Sequence, residues 1–290
     1  MSVYFNKKEE LKEKAANHTK MMEAGFKEEI DECVKGTKIY GGDGAAVAEV
    51  SERMPDIELT DTVPKRPEII TDGMDSVKSM LKHRDGKTAV LNFASYKNPG
   101  GKFLDGSSAQ EECLCHSSIL YNVLKKFPDY YAWNKQHNNR ALYTNRALYS
   151  EDVVFVDESV CVYGADPEIV RADVITCAAP NLRDKPSNRF NQGDGVKKAK
   201  ISDKELLLIH EKRLRRILDI AATEGDEVII LGAFGCGAFL NNPEVVALAA
   251  KNVIKEYLNA FKVIEFAVYC GPKDNRNFKT FERVLKVYAK

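Results

Sequence analysis

The sequence predicts an α/β layered sandwich, a mixed sheet between helices, with a helical extension on its N-terminal side. Three observations carry this. From about residue 88, short apolar runs alternate with amphipathic runs over roughly 200 residues, the pattern of strands packed under helices. Two glycine-rich loops, 94–110 and 232–242, each separate an apolar run from an amphipathic one. Residues 2–35 place Phe5, Leu11, Ala15, Met22, Phe26, Ile30 and Val34 at helical spacing among Lys and Glu.

Taken in order, residues 2–35 read as two helices that dock on a later core. A short strand follows at 38–40, and the glycines at 41, 42 and 44 break it. Residues 57–63 alternate as a half-buried strand does, and Pro64 and Pro67 mark a turn. A short helix over 75–83 carries Val77, Met80 and Leu81 on one side. Residues 88–94 form a strand, and 110–127 one helix closed by Lys125, Lys126 and Pro128. The segment 128–150 is aromatic and amide-rich without a clear period. Strands are expected at 153–156 and 160–163, and a buried one at 173–179, ending at Pro180-Asn181. Residues 181–201 form a long polar loop.

Ser202 and Glu205 make a capping box. The helix it starts bears Leu207, His210, Leu214, Ile217, Leu218 and Ala221 on one face and stops at Gly225. Its Lys212-Arg213 and Arg215-Arg216 pairs read as a solvated scaffold face. A strand at 227–231 precedes a helix from Asn242, an N-cap with Pro243 at the first helical position, to about residue 258. A strand at 263–270 and a helix at 277–289 complete the chain. No linker divides it, so 1–290 is expected to be one domain: an extension and first strands over 1–85, and the core over 86–290.

Lys plus Arg equals Asp plus Glu at 43 each, so overall charge gives no argument for nucleic acid or an acidic membrane surface. No apolar run approaches the roughly 20 residues of a membrane helix, and the charged N-terminal segment lacks the apolar core of a signal peptide. The seven cysteines form no framework, and no second pair or His spacing completes a zinc site with Cys113 and Cys115. A cytoplasmic monomer with reduced thiols is the expectation.

Chemistry concentrates in the two loops. The first holds Asn98, Gly100, Gly101, Lys102 and Gly106 before Gln110-Glu111-Glu112, with Asn92 on the strand that feeds it. In open α/β sheets, ligands bind where a strand's carboxyl end hands over to a helix. The second loop runs Gly232-Ala-Phe-Gly-Cys-Gly-Ala-Phe239. Its backbone N–H groups at Gly235, Cys236, Gly237 and Ala238 can cradle phosphate oxygens, and a tight turn is the bland alternative. A glycine-rich turn alone is weak evidence, and this one lacks dinucleotide-fingerprint spacing. Gln110-Glu111-Glu112 alone also fits a solvated first helical turn.

Together the loops resemble the poly(ADP-ribose) glycohydrolases, whose signature is three glycines, six to eight residues, then Gln-Glu-Glu. Here it reads Gly100-Gly101-Lys102, seven residues, then Gln110-Glu111-Glu112. The context from Leu91 to Gly101 and the run Ala178-Ala-Pro-Asn181 are similar to the bacterial type, and the second loop is similar to the family's diphosphate loop with its following Phe. The resemblance covers about residues 5–285 and implies a macrodomain extended by N-terminal helices. It implies cleavage of ribose–ribose O-glycosidic bonds, from chain ends, releasing ADP-ribose from poly(ADP-ribose) or an ADP-ribosylated macromolecule, with no cofactor and no metal.

The resemblance also implies roles. Glu112 protonates the leaving oxygen and then activates water, Glu111 accepts bonds from the neighbouring ribose, and Phe239 packs on the distal ribose. Gln110, Asn92, Asn98, Gly100 and Gly101 line the sugar side. A donor acid at neutral pH needs a raised pKa, so Glu112 is expected to be desolvated, near aromatic carbon such as Phe239. Turn chemistry competes for Asn98, and core packing for Phe239, Trp133, Tyr130, Tyr131 and His210. His116 lies one turn after Glu112. Lys102 departs from the signature: the position either requires positive φ, which strains lysine, or tolerates lysine and lends an ammonium to a phosphate. Two other readings stand beside glycohydrolysis of the polymer: an ADP-ribose-binding module without turnover, and hydrolysis of a different ADP-ribosyl linkage, to protein or nucleobase.

Overall fold

The computed structural model describes residues 2–41, 67–157, 168–188, 192–271 and 274–288. The strands expected at 57–63 and 160–163, and the glycine break at 42–44, lie outside them. The described residues form a seven-stranded mixed sheet in the order β1-β4-β5-β3-β6-β7-β2. The strands are β1 Lys38–Tyr40, β2 Glu68–Asp72, β3 Thr88–Phe93, β4 Ala147–Asp157, β5 Glu168–Cys177, β6 Val228–Leu231 and β7 Val263–Ala267. β5, β3, β6, β7 and β2 run parallel, while β4 pairs antiparallel with both β5 and β1.

The helices α1 Ser2–Gly25, α2 Lys27–Gly36, α3 Ser76–Leu81, α4 Gln110–His116, α5 Leu120–Leu124 and α6 Pro128–Gln136 come before β4. After β5 come α7 Asp203–Thr223, α8 Pro243–Ile254 and α9 Arg276–Leu285. β3 explains the layering. Ala89 and Leu91 join a core with Ile217, Ala250 and Phe281 of α7, α8 and α9, and Val90 joins one with Met22, Leu114 and Val123 of α1, α4 and α5. A strand covered on both faces reads as continuous apolar sequence, and Thr88–Leu91 is buried throughout.

Four local differences from the sequence reading have physical causes. The single helix expected over 110–127 is two, because Ser118 leaves helical pairing to bridge Phe155 of β4. The Ser118 hydroxyl donates to the Leu114 carbonyl at 2.7 Å and accepts from Leu120 N–H at 3.1 Å, stabilising the break. Pro128 opens α6 at its first turn; its adjacent aromatics give no helical period. β4 is a long strand with a bulge between Ser150 and Val153, where the Asp173 carboxylate accepts from Asp152 N–H at 2.8 Å. β2 is missed because its burial is only partial. The capping box at Ser202 and the Asn242 cap are present, although α8 ends four residues earlier than expected, at Ile254.

Candidate active site

Because β3 is flanked by parallel β5 and β6, the loops leaving their carboxyl ends emerge side by side. These are the two glycine-rich loops and Ala178-Ala-Pro-Asn181. Phe239 carbonyl accepts Leu182 N–H at 2.9 Å, joining the second loop to the one after β5.

Gln110 starts α4 and splices it to β3. Its Oε1 accepts Phe93 N–H at 2.8 Å, and its Nε2 donates to the Leu91 carbonyl at 2.8 Å and Ser76 Oγ at 3.0 Å. Gln110, which the sequence reading places on the substrate, thus commits its amide to the fold. Asn92 is fully buried and donates to Thr176 Oγ1 at 3.2 Å and Glu111 Oε1 at 3.4 Å, so it braces Glu111 from beneath. Asn98 closes the first turn: its carbonyl accepts Gly101 N–H at 3.1 Å, and its N–H donates to Ser95 Oγ at 3.3 Å.

The two acids are both buried, Glu111 at 3% exposure and Glu112 at 6%. Glu111 Oε2 accepts Ser95 N–H at 2.7 Å. Burial, then the neighbouring Glu112 charge, pushes its pKa well above the usual carboxylate range. Glu112 Oε1 accepts Lys102 N–H at 2.9 Å, while its buried Oε2 has no protein hydrogen-bond partner. Burial raises the Glu112 pKa as well, against the lowering pull of the Lys102 N–H.

Gly101 is the residue the acids cannot do without. It sits at φ 61°, and a Cβ there would stand 2.6 Å from Glu112 Oε1 and 2.8 Å from Glu111 Oε2. Gly100 is buried in front of Tyr121 and Cys115. Lys102 has φ −113°, so the position takes a lysine without left-handed strain. Gly106 backs onto the Lys8 carbonyl of α1, where a Cβ would come within 2.3 Å. Its small size thus seats the first loop on the N-terminal extension.

Gly235 shapes the second loop at φ 81°, with room for no Cβ against Ala179 and Asn241. Asn241 is its hub, donating to the Pro180 and Gly235 carbonyls at 2.7 and 3.0 Å and meeting His210 Nε2 at 2.9 Å. Burial pushes His210 down to about 4, so it serves as a neutral strut. Gly237 and Ala238 are exposed. The Cys236 thiol, pushed up to about 12 by burial, is no thiolate nucleophile. Phe239 is half-buried; its ring lies edge-on to Tyr143 at 6.3 Å and under the Arg183 guanidinium at 5.6 Å.

Other aromatic candidates are occupied elsewhere. Trp133 is stacked between His137 at 3.8 Å and Arg146 at 4.4 Å, and Tyr130 and Tyr131 are buried against each other. His116 packs edge-on to Phe103. Among the described residues no group of three or more His, Cys, Asp or Glu is placed to hold a metal ion.

The chain matches the family model for the microbial-type PARG (poly(ADP-ribose) glycohydrolase) catalytic domain over residues 7–158. It belongs to that family. Solved structures agree. A poly(ADP-ribose) glycohydrolase from Thermomonospora curvata is 23% identical at a TM-score of 0.75, covering 95% of this chain and 99% of that one. One from Deinococcus radiodurans, in complex with ADP-ribose, is 28% identical at 0.72, covering 90% and 98%. Another crystal form of the Deinococcus complex is 30% identical at 0.70, covering 89% and 97%. A search of curated proteins gave no match. The family supplies the macrodomain-like fold that the paired loops imply.

Several residues of this PARG-type site were not legible in the sequence. A buried ion pair joins Lys97 of the first loop to Asp194 of the long 181–201 loop. Tyr143 donates to Asp194 at 2.7 Å and stacks on Tyr96 at 4.2 Å. Arg213, expected on a solvated face, is 2% exposed and donates to the Ala178 and Leu142 carbonyls at 2.7 and 3.1 Å. It therefore locks the loop after β5. The only sequence signal for it was a basic residue one position off the apolar stripe of α7.

Proposed function

We propose that this protein is a poly(ADP-ribose) glycohydrolase in which Glu112 is the acid/base, releasing ADP-ribose from chain ends. The observation that carries the role is Glu112 itself: a buried carboxyl with one oxygen held by Lys102 N–H and the other without a protein partner. A glycosidic oxygen leaves only if it gains a proton as the oxocarbenium-like state forms. A carboxyl kept neutral by burial donates that proton, and the resulting carboxylate then takes one from the incoming water. The main-chain N–H of Lys102 stabilises the carboxylate form between the two steps.

Glu111 and Asn92 hold the loop, and the exposed backbone of Gly237 and Ala238 offers donors to the substrate diphosphate. Phe239 packs on the distal ribose. Complexes of Deinococcus relatives with ADP-ribose support the ligand class. Among the described residues no helix is long and apolar enough to cross a membrane.

Glu112→Gln tests the assignment. It is expected to abolish ADP-ribose release from labelled polymer while retaining ADP-ribose affinity by calorimetry. Turnover within tenfold of wild type would remove Glu112 from the acid/base role. Release from mono-ADP-ribosylated protein but not from polymer would favour the other linkage.

A further inference from the structure

Both glycine-rich loops are tied to one buried carboxylate, that of Asp194. Lys97 stands between Ser95, whose N–H holds Glu111, and Gly101, whose backbone lies against both acids. Its ammonium pairs with Asp194 and donates to the Gln192 carbonyl at 2.7 Å, and both side chains of the pair are 3% exposed or less. The other Asp194 oxygen accepts the Tyr143 hydroxyl at 2.7 Å. The Tyr143 ring stacks on Tyr96, the chain neighbour of Lys97, and lies edge-on to Phe239 of the second loop. A short path of contacts therefore leads from Asp194 to the acids on one side and to Phe239 on the other.

Two features set this cluster apart from ordinary packing. The segment that presents Tyr143 is left-handed: Asn139, Arg140, Ala141 and Tyr143 have φ between 46° and 66°. Residues with a Cβ persist there only where their surroundings over-determine them, and such strain gathers at functional sites. Here the surroundings are the Tyr143–Asp194 bond, the Asn138 amide on the Gly193 carbonyl at 2.6 Å and the Asn181 N–H on the Ala141 carbonyl at 2.8 Å. The second feature is the ion pair. Drying two charges offsets most of their attraction, and apolar side chains of similar shape stabilise a fold as well. What a buried pair can add is a fixed register between the two segments that carry it.

We propose that Lys97 and Asp194 are positioning residues of the site, holding Glu112 in register with Phe239 across the two loops. The inference rests on the glycohydrolase reading and leaves the proton transfers to Glu112. Lys97 fixes the turn from which the Lys102 N–H reaches Glu112, and Asp194, through Tyr143, fixes the wall that receives the distal ribose. Contacts that bind ADP-ribose are made within one loop or the other. The bond being broken needs both at once, so a slip between them is felt in the reaction more than in binding.

The test separates register from stability. Lys97→Met and Asp194→Asn each leave one charge buried without its partner and should lower the melting temperature. The double variant buries neither charge, so its melting temperature should return most of the way to that of wild type. Its kcat on labelled polymer should stay down by about tenfold or more, as misplaced reacting groups require. Its KM, and its ADP-ribose affinity by calorimetry, should stay within about threefold of wild type. Tyr143→Phe removes one hydroxyl and keeps the ring stack, and should lower kcat severalfold at unchanged KM. If the double variant does not fold, Tyr143→Phe decides alone. A kcat that recovers with the melting temperature, a kcat that falls only together with ADP-ribose affinity, or a wild-type kcat in Tyr143→Phe shows a role in folding alone and overturns the proposal. Wild-type protein that releases no ADP-ribose from polymer sinks the glycohydrolase reading itself.

Discussion

Substituting Gly101 by alanine tests the site at the point where backbone and chemistry meet. At φ 61° an L-residue with a side chain costs about 1–2 kcal/mol relative to glycine. The added methyl carbon would stand 2.6 Å from Glu112 Oε1 and 2.8 Å from Glu111 Oε2. Relieving that overlap requires the carboxylates or the loop to retreat by at least about half an ångström. Glu111 cannot retreat without losing Ser95 N–H at 2.7 Å, so the displacement falls mainly on Glu112 and its Lys102 bond. A misplacement of about 1 Å in reacting groups costs on the order of a hundredfold in rate. Gly101→Ala is therefore expected to slow ADP-ribose release by roughly tenfold to a hundredfold, and to lower the melting temperature by only a few degrees. Gly237→Ala is the stability control, since nothing stands within 4 Å of its added methyl. If Gly101→Ala releases ADP-ribose at the wild-type rate, the carboxylates are not where this reasoning needs them.

Two further predictions concern the frame. Asp226 is buried, and burial followed by the Asp173 charge raises its pKa to about 9, against the pull of Lys87. The folded state thus holds a proton that the unfolded chain releases near pH 4. Its stabilising effect is complete below that pH and is lost as pH rises toward about 9. Asp226→Asn should flatten the fall of melting temperature between pH 6 and 9; an unchanged slope would refute the assignment. Arg213→Met strands the Ala178 and Leu142 carbonyls and the Asn145 side chain, and should cost about 3 kcal/mol by chemical denaturation. A loss below 0.5 kcal/mol would mean that water replaces the guanidinium.

The sequence made the frame legible wherever local chemistry decides it. Capping at Ser202 and Asn242, the apolar run of β3 and the acids of α4 all act within a few residues. What stayed hidden depends on partners far along the chain. Ser118 breaks a helix because Phe155 lies beside it, and Lys97 is buried because Asp194 reaches it from the long loop. Arg213 is buried because carbonyls at 142 and 178 converge on it. The candidate site divides the same way. Its motifs were readable, but the commitment of Gln110 and Asn92 to the fold was not, because an amide that binds a substrate and one that splices a helix to a strand look alike in a sequence.

The same division separates the two glutamates. Glu111 has the more strongly raised pKa, which alone would nominate it as the acid. A donor must also have an oxygen open to the substrate and a pKa that lets it give the proton up as readily as it takes it back. Glu111 fails the first requirement, with Oε2 on Ser95 N–H and Oε1 against Asn92. Glu112 meets both requirements, because the Lys102 N–H limits how far burial can raise its pKa while Oε2 has no protein partner. The first glutamate builds the site in which the second can exchange a proton.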